Sequence, residues 1–140
     1  MAAPIELSIQ VRFNDMDLAG HAHNGIYLSW FELARMRFLD QFIPLDHDWT
    51  TFGLILARNE VDYRIPVRLR DQVSVTCFCT RIGGSSFELT YVLQVVQGKA
   101  KVIAAEGKSI MVCYDYKKGK SRALPKEWRS ALDNELVEGA

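Results

Sequence analysis

The stretch from Asn24 to Phe42 most constrains what this chain can fold into. Tyr27, Phe31, Ala34, Phe38 and Phe42 recur at helical spacing, Leu28 and Leu39 widen the stripe, and Ile26, Trp30 and Leu33 add a second apolar side. Only a narrow arc around Ser29, Glu32, Arg37 and Asp40 is polar. A helix apolar over most of its girth must be covered on most sides. It therefore needs a sheet wrapped around it, or a sheet plus a partner subunit.

The rest of the chain supplies such a sheet. Residues 5 to 13 alternate, with Ile5, Leu7, Ile9, Val11 and Phe13 apolar and Glu6, Ser8, Gln10 and Arg12 polar, which predicts a half-buried strand. Residues 14 to 23 are turn-rich and polar and read as a loop. After a connection over Pro44 to Thr51, Gly53 to Ile65 is a long strand candidate with a bend near Asn59. Gln72 to Ile82 and Ser86 to Val96 alternate with period two around Gly83-Gly84, a hairpin signal. Gln97-Gly98-Lys99 turns the chain into Ala100 to Tyr114, Lys117 to Arg122 reads as an exposed turn, and Pro125 to Leu136 fits a short closing helix with Trp128, Leu132 and Leu136 on one face. The expected architecture is α+β, a single domain over 1–140 in which a long central helix is wrapped by a curved five-stranded antiparallel sheet.

Nearly half of the residues are apolar, enough for a core without staples. Lys and Arg number 17, as do Asp and Glu, which argues against nucleic acid as the main partner. Cys77, Cys79 and Cys113 are odd in number, and Cys77-Phe78-Cys79 lacks a zinc-knuckle spacer, so reduced packing thiols and no metal site are expected. Met1 to Glu6 lacks the charged and apolar blocks of a signal peptide, and no apolar run approaches the roughly 20 residues that span a bilayer, so a cytoplasmic protein without membrane association is expected. There is no Gly-x-Ser-x-Gly elbow, P-loop or dinucleotide fingerprint, and no cofactor is expected.

The chemical signal lies between Arg12 and Arg35. Asp17, Gly20-His21, Asn24, Tyr27-Leu28 and Phe31-Glu32-x-x-Arg35 resemble the 4-hydroxybenzoyl-CoA thioesterase family of hotdog proteins, which opens with an aspartate, a short spacer, Gly-His, and Asn before a Tyr-Leu helix. Tyr63, Pro66, Asp71 and the run Gly84 to Phe87 resemble later landmarks of the family, and the likeness extends to about residue 115. The resemblance implies the hotdog fold, hydrolysis of acyl-CoA thioesters, and Asp17 rather than Asp15 as nucleophile or general base.

Elementary chemistry agrees. A thioester carbonyl needs a nucleophile or base and a place for the developing oxyanion. Helix-start N–H groups lack internal partners and sit at the positive end of the helix, so those around Asn24, Gly25 and Ile26 can polarise a carbonyl. Asp17, seven residues before Asn24, can fold back over them. An aspartate in such a loop is also an ordinary turn former. His21 suits a base, a substrate-orienting group or a loop anchor; Asn24 suits an N-cap as well as a catalytic role; His23 reads as a surface residue. Tyr27 and Phe31 fit the core, with Tyr27 also a candidate substrate contact, and Glu32 and Arg35 fit an intrahelical pair. Arg58, Asn59 and Glu60 interrupt an apolar strand, and the resemblance makes Arg58 and Glu60 candidates for lining a partner's site. Among the basic residues near strand ends, Arg68, Arg70, Arg81, Lys99 and Lys101, Arg68 is the candidate contact for CoA phosphates.

Two rivals to the hydrolase share the fold: a hydroxyacyl-thioester dehydratase, and a non-catalytic acyl-thioester-binding protein. An acyl carrier protein is open as the carrier in place of CoA. The helix has more apolar faces than one sheet can cover, so a homodimer or homotetramer is expected.

Overall fold

The computed structural model describes residues 2–133. In chain order it contains β1 (Ile5–Ile9), a single 3-10 turn (Phe13–Asp15), α1 (Ile26–Leu39), β2 (Phe52–Tyr63), β3 (Val73–Ile82), β4 (Ser86–Gln97), β5 (Ala100–Asp115), β6 (Lys120–Ser121) and α2 (Lys126–Asp133). The strands form one antiparallel sheet in the order β1-β3-β4-β5-β2, with β6 paired to β5.

Alternation decides which face each strand buries. Val75, Cys77 and Cys79 on β3, Leu89, Tyr91 and Leu93 on β4, and Ala105, Met111 and Cys113 on β5 join Phe31, Ala34 and Phe38 of α1 in one core. Phe31 stacks on Tyr91 with ring centroids 4.7 Å apart and planes 7° from parallel. The approach is possible because residue 107 is glycine: a Cβ there would stand 2.5 Å from the Phe31 ring and 2.9 Å from the Glu60 carbonyl. A buried polar thread crosses this apolar contact. Arg35 pairs with Glu32 at 3.7 Å, and its Nη1 donates to the Tyr91 hydroxyl at 3.1 Å. Ser109, also buried, donates to Asn59 Oδ1 at 2.6 Å.

The expected helix, sheet and closing helix are present, with four differences. The first strand ends at Ile9, not Phe13, because its ladder to β3 ends at the Ile9–Val73 pair; beyond it Phe13 is 81% exposed on the 3-10 turn. α1 runs from Ile26 to Leu39, shorter at both ends than Asn24 to Phe42. The sheet has a sixth strand where an exposed turn was expected: Asp115 Oδ1 accepts from the Lys117 and Lys118 N–H groups, Gly119 takes φ +65, and the chain turns back to pair Ser121 with Tyr114. The irregularity in β2 is a bulge between Leu56 and Arg58. Of the closing helix, Trp128 and Leu132 are buried, and Leu136 lies outside the described residues.

The three cysteines are free and buried. Burial pushes the Cys79 thiol up to about 11 and raises Cys77 and Cys113 as well, so they are poor nucleophiles and act as small apolar groups. The second apolar side of α1 is only partly covered: Trp30 is buried, while Leu33 and Met36 are 50% and 56% exposed.

Candidate active site

The loop before α1 is a small hairpin closed by a Met16–Ala22 bridge. At its tip the Asp17 N–H donates to the His21 carbonyl at 2.7 Å, the Gly20 N–H donates to the Asp17 carbonyl at 3.1 Å, and Gly20 takes φ +78. The left-handed conformation explains the glycine in Asp-x-x-Gly-His. Asp17 Oδ1 accepts from the N–H groups of Ala19 (2.9 Å) and His21 (3.1 Å), which aims the carboxylate, while Oδ2 has no partner among the described residues. The His21 N–H does most to hold the Asp17 carboxyl below its ordinary value; slight burial opposes this, and the Ala19 N–H adds to it. The return arm is fastened to the chain after β2 by a His21–Arg68 bridge and by the Ala22 N–H on the Val67 carbonyl at 2.7 Å.

Asp15 behaves differently. It is buried, and its Oδ2 accepts the Arg12 N–H at 2.8 Å while its carbonyl accepts from His23. It shapes the loop, and at 5% exposure its carboxylate is withdrawn from the surface.

The helix start departs from expectation in one respect. Its side-chain cap is His23, not Asn24: Nδ1 and the carbonyl of His23 both accept the Ile26 N–H, at 3.2 and 3.1 Å. The Ile26 donor is therefore occupied, and the Asn24 side chain stands exposed without a partner among the described residues. Gly25 occupies the cap position with helical dihedrals. The Asn24 and Gly25 N–H groups have no acceptor among the described residues, so two of the three expected donors are open.

Asp17, His21, Asn24, Tyr27 and Tyr63 surround a cleft of about 470 Å³ whose far wall is Arg64, Ile65 and Pro66. Tyr27 is 3% exposed and meets Tyr63 edge-on at 4.9 Å. The Tyr63 hydroxyl donates to the Asn24 carbonyl at 2.8 Å. Arg64 lines the cleft but is paired with Glu106 at 2.8 Å.

Arg58 and Glu60 do not join this cleft within the chain. They pair with each other at 2.6 Å beside Lys108 and Glu88. The bulge explains their direction. Leu54 and Leu56 face α1, opposite Cys113 and Met111; the extra residue Ala57 then shifts the alternation, so Asn59, Val61 and Tyr63 face α1 and Arg58 and Glu60 face away. Arg68 adjoins the site only through its backbone bridge to His21; its N–H is taken by Asp71 Oδ2 at 2.8 Å and its side chain is exposed. Arg64, Ile65 and the contact of Tyr63 with Asn24 were not foreseen, although Tyr63 stood out as a landmark. Among the described residues no group of three His, Cys, Asp or Glu could hold a metal ion, and no helix is long and apolar enough to cross a membrane.

The arrangement sets an ionised carboxylate with one bare oxygen beside two open N–H donors at the positive end of a helix, at the mouth of a partly apolar cleft. It can attack an electrophilic carbonyl, or direct a water to it, while the N–H groups receive the oxyanion.

Known proteins resemble this chain in sequence and fold. A family model described as the thioesterase-like superfamily matches residues 11–132. The acyl-CoA thioester hydrolase YbgC of Escherichia coli O6:H1 is 27% identical over 120 residues, 84% of this chain and 87% of that protein. The long-chain acyl-CoA thioesterase FadM of Escherichia coli strain K12 is 27% identical over 132 residues, 92% of this chain and 97% of its own length. Among solved structures, a protein described as a predicted thioesterase from Bacillus stearothermophilus superposes with a TM-score of 0.87 at 25% identity, covering 99% of this chain and all of that one. A thioesterase of Thermus thermophilus, solved with coenzyme A and Zn, gives 0.79 at 30% identity, covering 92% of this chain and 91% of its own.

Proposed function

The chain belongs to the thioesterase-like superfamily and hydrolyses acyl-CoA thioesters, and we propose that Asp17 is the group on which its catalysis turns. The observation that carries the assignment is the bare Oδ2 of Asp17 in one cleft with Asn24, at the helix start where the Asn24 and Gly25 N–H groups are open. The substrate carbonyl rests on those donors. Asp17 Oδ2 then either forms a bond to the carbonyl carbon, giving a mixed anhydride that water opens, or takes a proton from a water that attacks. On either route the C–S bond breaks, the electron pair leaves on the CoA sulfur, and one water is consumed. Base catalysis puts its oxygen in the free acid; the anhydride route puts it in the free acid or the Asp17 carboxylate, according to which carbonyl carbon it attacks. His21 orients substrate or water from the adjoining position.

Thiol release from a panel of aromatic, short-chain and long-chain acyl-CoAs tests the activity and finds the acyl group. An acyl carrier protein thioester in the same assay tests the alternative carrier, and enoyl-CoA hydration tests for a dehydratase. Because Asp17 acts ionised and the His21 N–H does most to hold its carboxyl below the ordinary aspartate value, the acid limb of kcat/KM that Asp17 sets is expected to lie below that of a free aspartate. A limb between about 5 and 7 that vanishes in Asp17→Asn but not in His21→Ala would contradict this.

We also propose that the working form is a dimer or larger. Leu33 and Met36 are half exposed on α1, and β2 is an edge strand with one side unpaired along its 12 residues among the described residues. Arg58 and Glu60, which line a separate depression in one chain, reach a site only across such a boundary. Light scattering at micromolar concentration is expected to give at least twice the mass of one chain, and a single-chain mass sinks the idea.

A further inference from the structure

Tyr63 closes β2, and its ring is placed from three directions. Its backbone is in register with Ala105, and the next two N–H groups, of Arg64 and Ile65, both donate to the Ala104 carbonyl at 2.8 and 3.2 Å. The ring stands at 90° to that of Tyr27, which is buried against Trp30. The hydroxyl donates to the Asn24 carbonyl, a contact 39 residues away along the chain.

The receiving segment is otherwise loosely held. Gly25 carries no side-chain cap, the Asn24 side chain has no partner among the described residues, and His23 spends its bonds on Ile26. The Leu28 N–H, which in a regular helix would take the Asn24 carbonyl, donates to Gly25 at 3.2 Å. The Asn24 carbonyl is thus released from the helix and given to Tyr63.

We propose that Tyr63 is a positioning residue for thioester hydrolysis, which orients and strengthens the Gly25 N–H by holding the Asn24 carbonyl at the other side of the same peptide. A trans peptide keeps C=O and N–H antiparallel, so a donor on the Asn24 oxygen fixes the Gly25 N–H pointing the opposite way. Hydrogen bonds in series polarise one another, so the same contact makes that N–H a stronger donor to a developing oxyanion. Burial keeps the Tyr63 phenol above its ordinary value, so it remains a protonated donor across the neutral range. The inference rests on the proposal that the Asn24 and Gly25 N–H groups receive the substrate carbonyl.

Tyr63→Phe keeps the ring against Tyr27 and removes only the hydroxyl. It is expected to melt as a folded protein, to keep KM within about twofold and to lose about tenfold to a hundredfold in kcat, the range seen when a supporting hydrogen bond behind an active group is removed. A spectroscopic readout separates this from simple loosening. The acyl-CoA turned over fastest in the panel, isotopically labelled at its carbonyl carbon, is bound to Asp17→Asn, and the carbonyl stretch is read by difference infrared spectroscopy. A shift to lower frequency relative to the free thioester is expected, and Asp17→Asn with Tyr63→Phe is expected to lose a measurable part of it. A full shift retained in the double variant, or kcat of Tyr63→Phe within twofold of the parent, overturns the role of Tyr63 and leaves the helix-start site standing. No shift in Asp17→Asn alone overturns both.

Discussion

Asp17→Asn is expected to fold like the parent and to lose about a hundredfold to ten-thousandfold in kcat on its best thioester, the range for removing a positioned acid or base. The fold is spared because the carboxylate is exposed and the carboxamide oxygen can still accept from Ala19 and His21. What disappears is the charge and basicity of the other oxygen, and an amide nitrogen serves neither as nucleophile nor as base near neutral pH. A larger loss is expected where Oδ2 attacks directly, since the covalent route is then closed. Single-turnover hydrolysis in labelled water tests for direct attack: label in the Asp17 carboxylate marks an anhydride that water opens at the aspartyl carbon, whereas label confined to the product acid marks base catalysis or opening at the acyl carbon. His21→Ala and Asn24→Ala are expected to cost less, because the backbone donors persist. The control is Asp15→Asn, which disturbs the buried contact with Arg12. The assignment fails when folded Asp17→Asn stays within about threefold of the parent rate and Asp15→Asn does not.

The largest stability effect is expected at the contact between helix and sheet. Phe31→Ala empties a buried site and is expected to cost about 3–5 kcal/mol. Gly107→Ala forces a methyl against that ring and against the fixed Glu60 carbonyl, and is expected to cost about 1–3 kcal/mol. The two changes touch the same space. With the ring gone the methyl meets only the carbonyl, so the double variant is expected to be about 1–2 kcal/mol more stable than the sum of the single effects. Chemical denaturation with an unchanged slope reads this directly. Costs that add to within about 0.5 kcal/mol show that Gly107 is not needed for the approach of Phe31.

The features legible in the sequence are those set by periodicity. The stripe from Tyr27 to Phe38 and the alternation from Val73 to Val95 each determine one buried face, and those faces meet. The loop was legible for a different reason: Asp17, Gly20 and the helix start are close in the chain, so spacing alone brings them together. Non-local details were hidden. Nothing near Ile9 announces that its partner strand begins at Val73, so the alternation continued on paper to Phe13. Arg58 and Glu60 follow the parity of Leu54 and Leu56 in sequence, and one inserted residue reverses it. His23 could not be told from a surface histidine without the direction of the Ile26 N–H, nor could Tyr63 be matched to a carbonyl 39 residues earlier.

The polar contacts of Tyr91 and Ser109 each have a polarity. A guanidinium can only donate, so the Tyr91 oxygen accepts from Arg35 and its own proton points away from the guanidinium. Ser109 then spends its proton on Asn59 Oδ1. The Asn59 Oδ1 can only accept, so the direction of the Ser109 proton is fixed and runs one way, from the interior to the margin of the sheet. Its end is the Asn59 carboxamide with the oxygen held inward and the nitrogen left outward, on an exposed residue of the edge strand. Whatever meets the rim of the molecule at that point meets a pair of N–H donors whose orientation was set from within, by the buried Ser109.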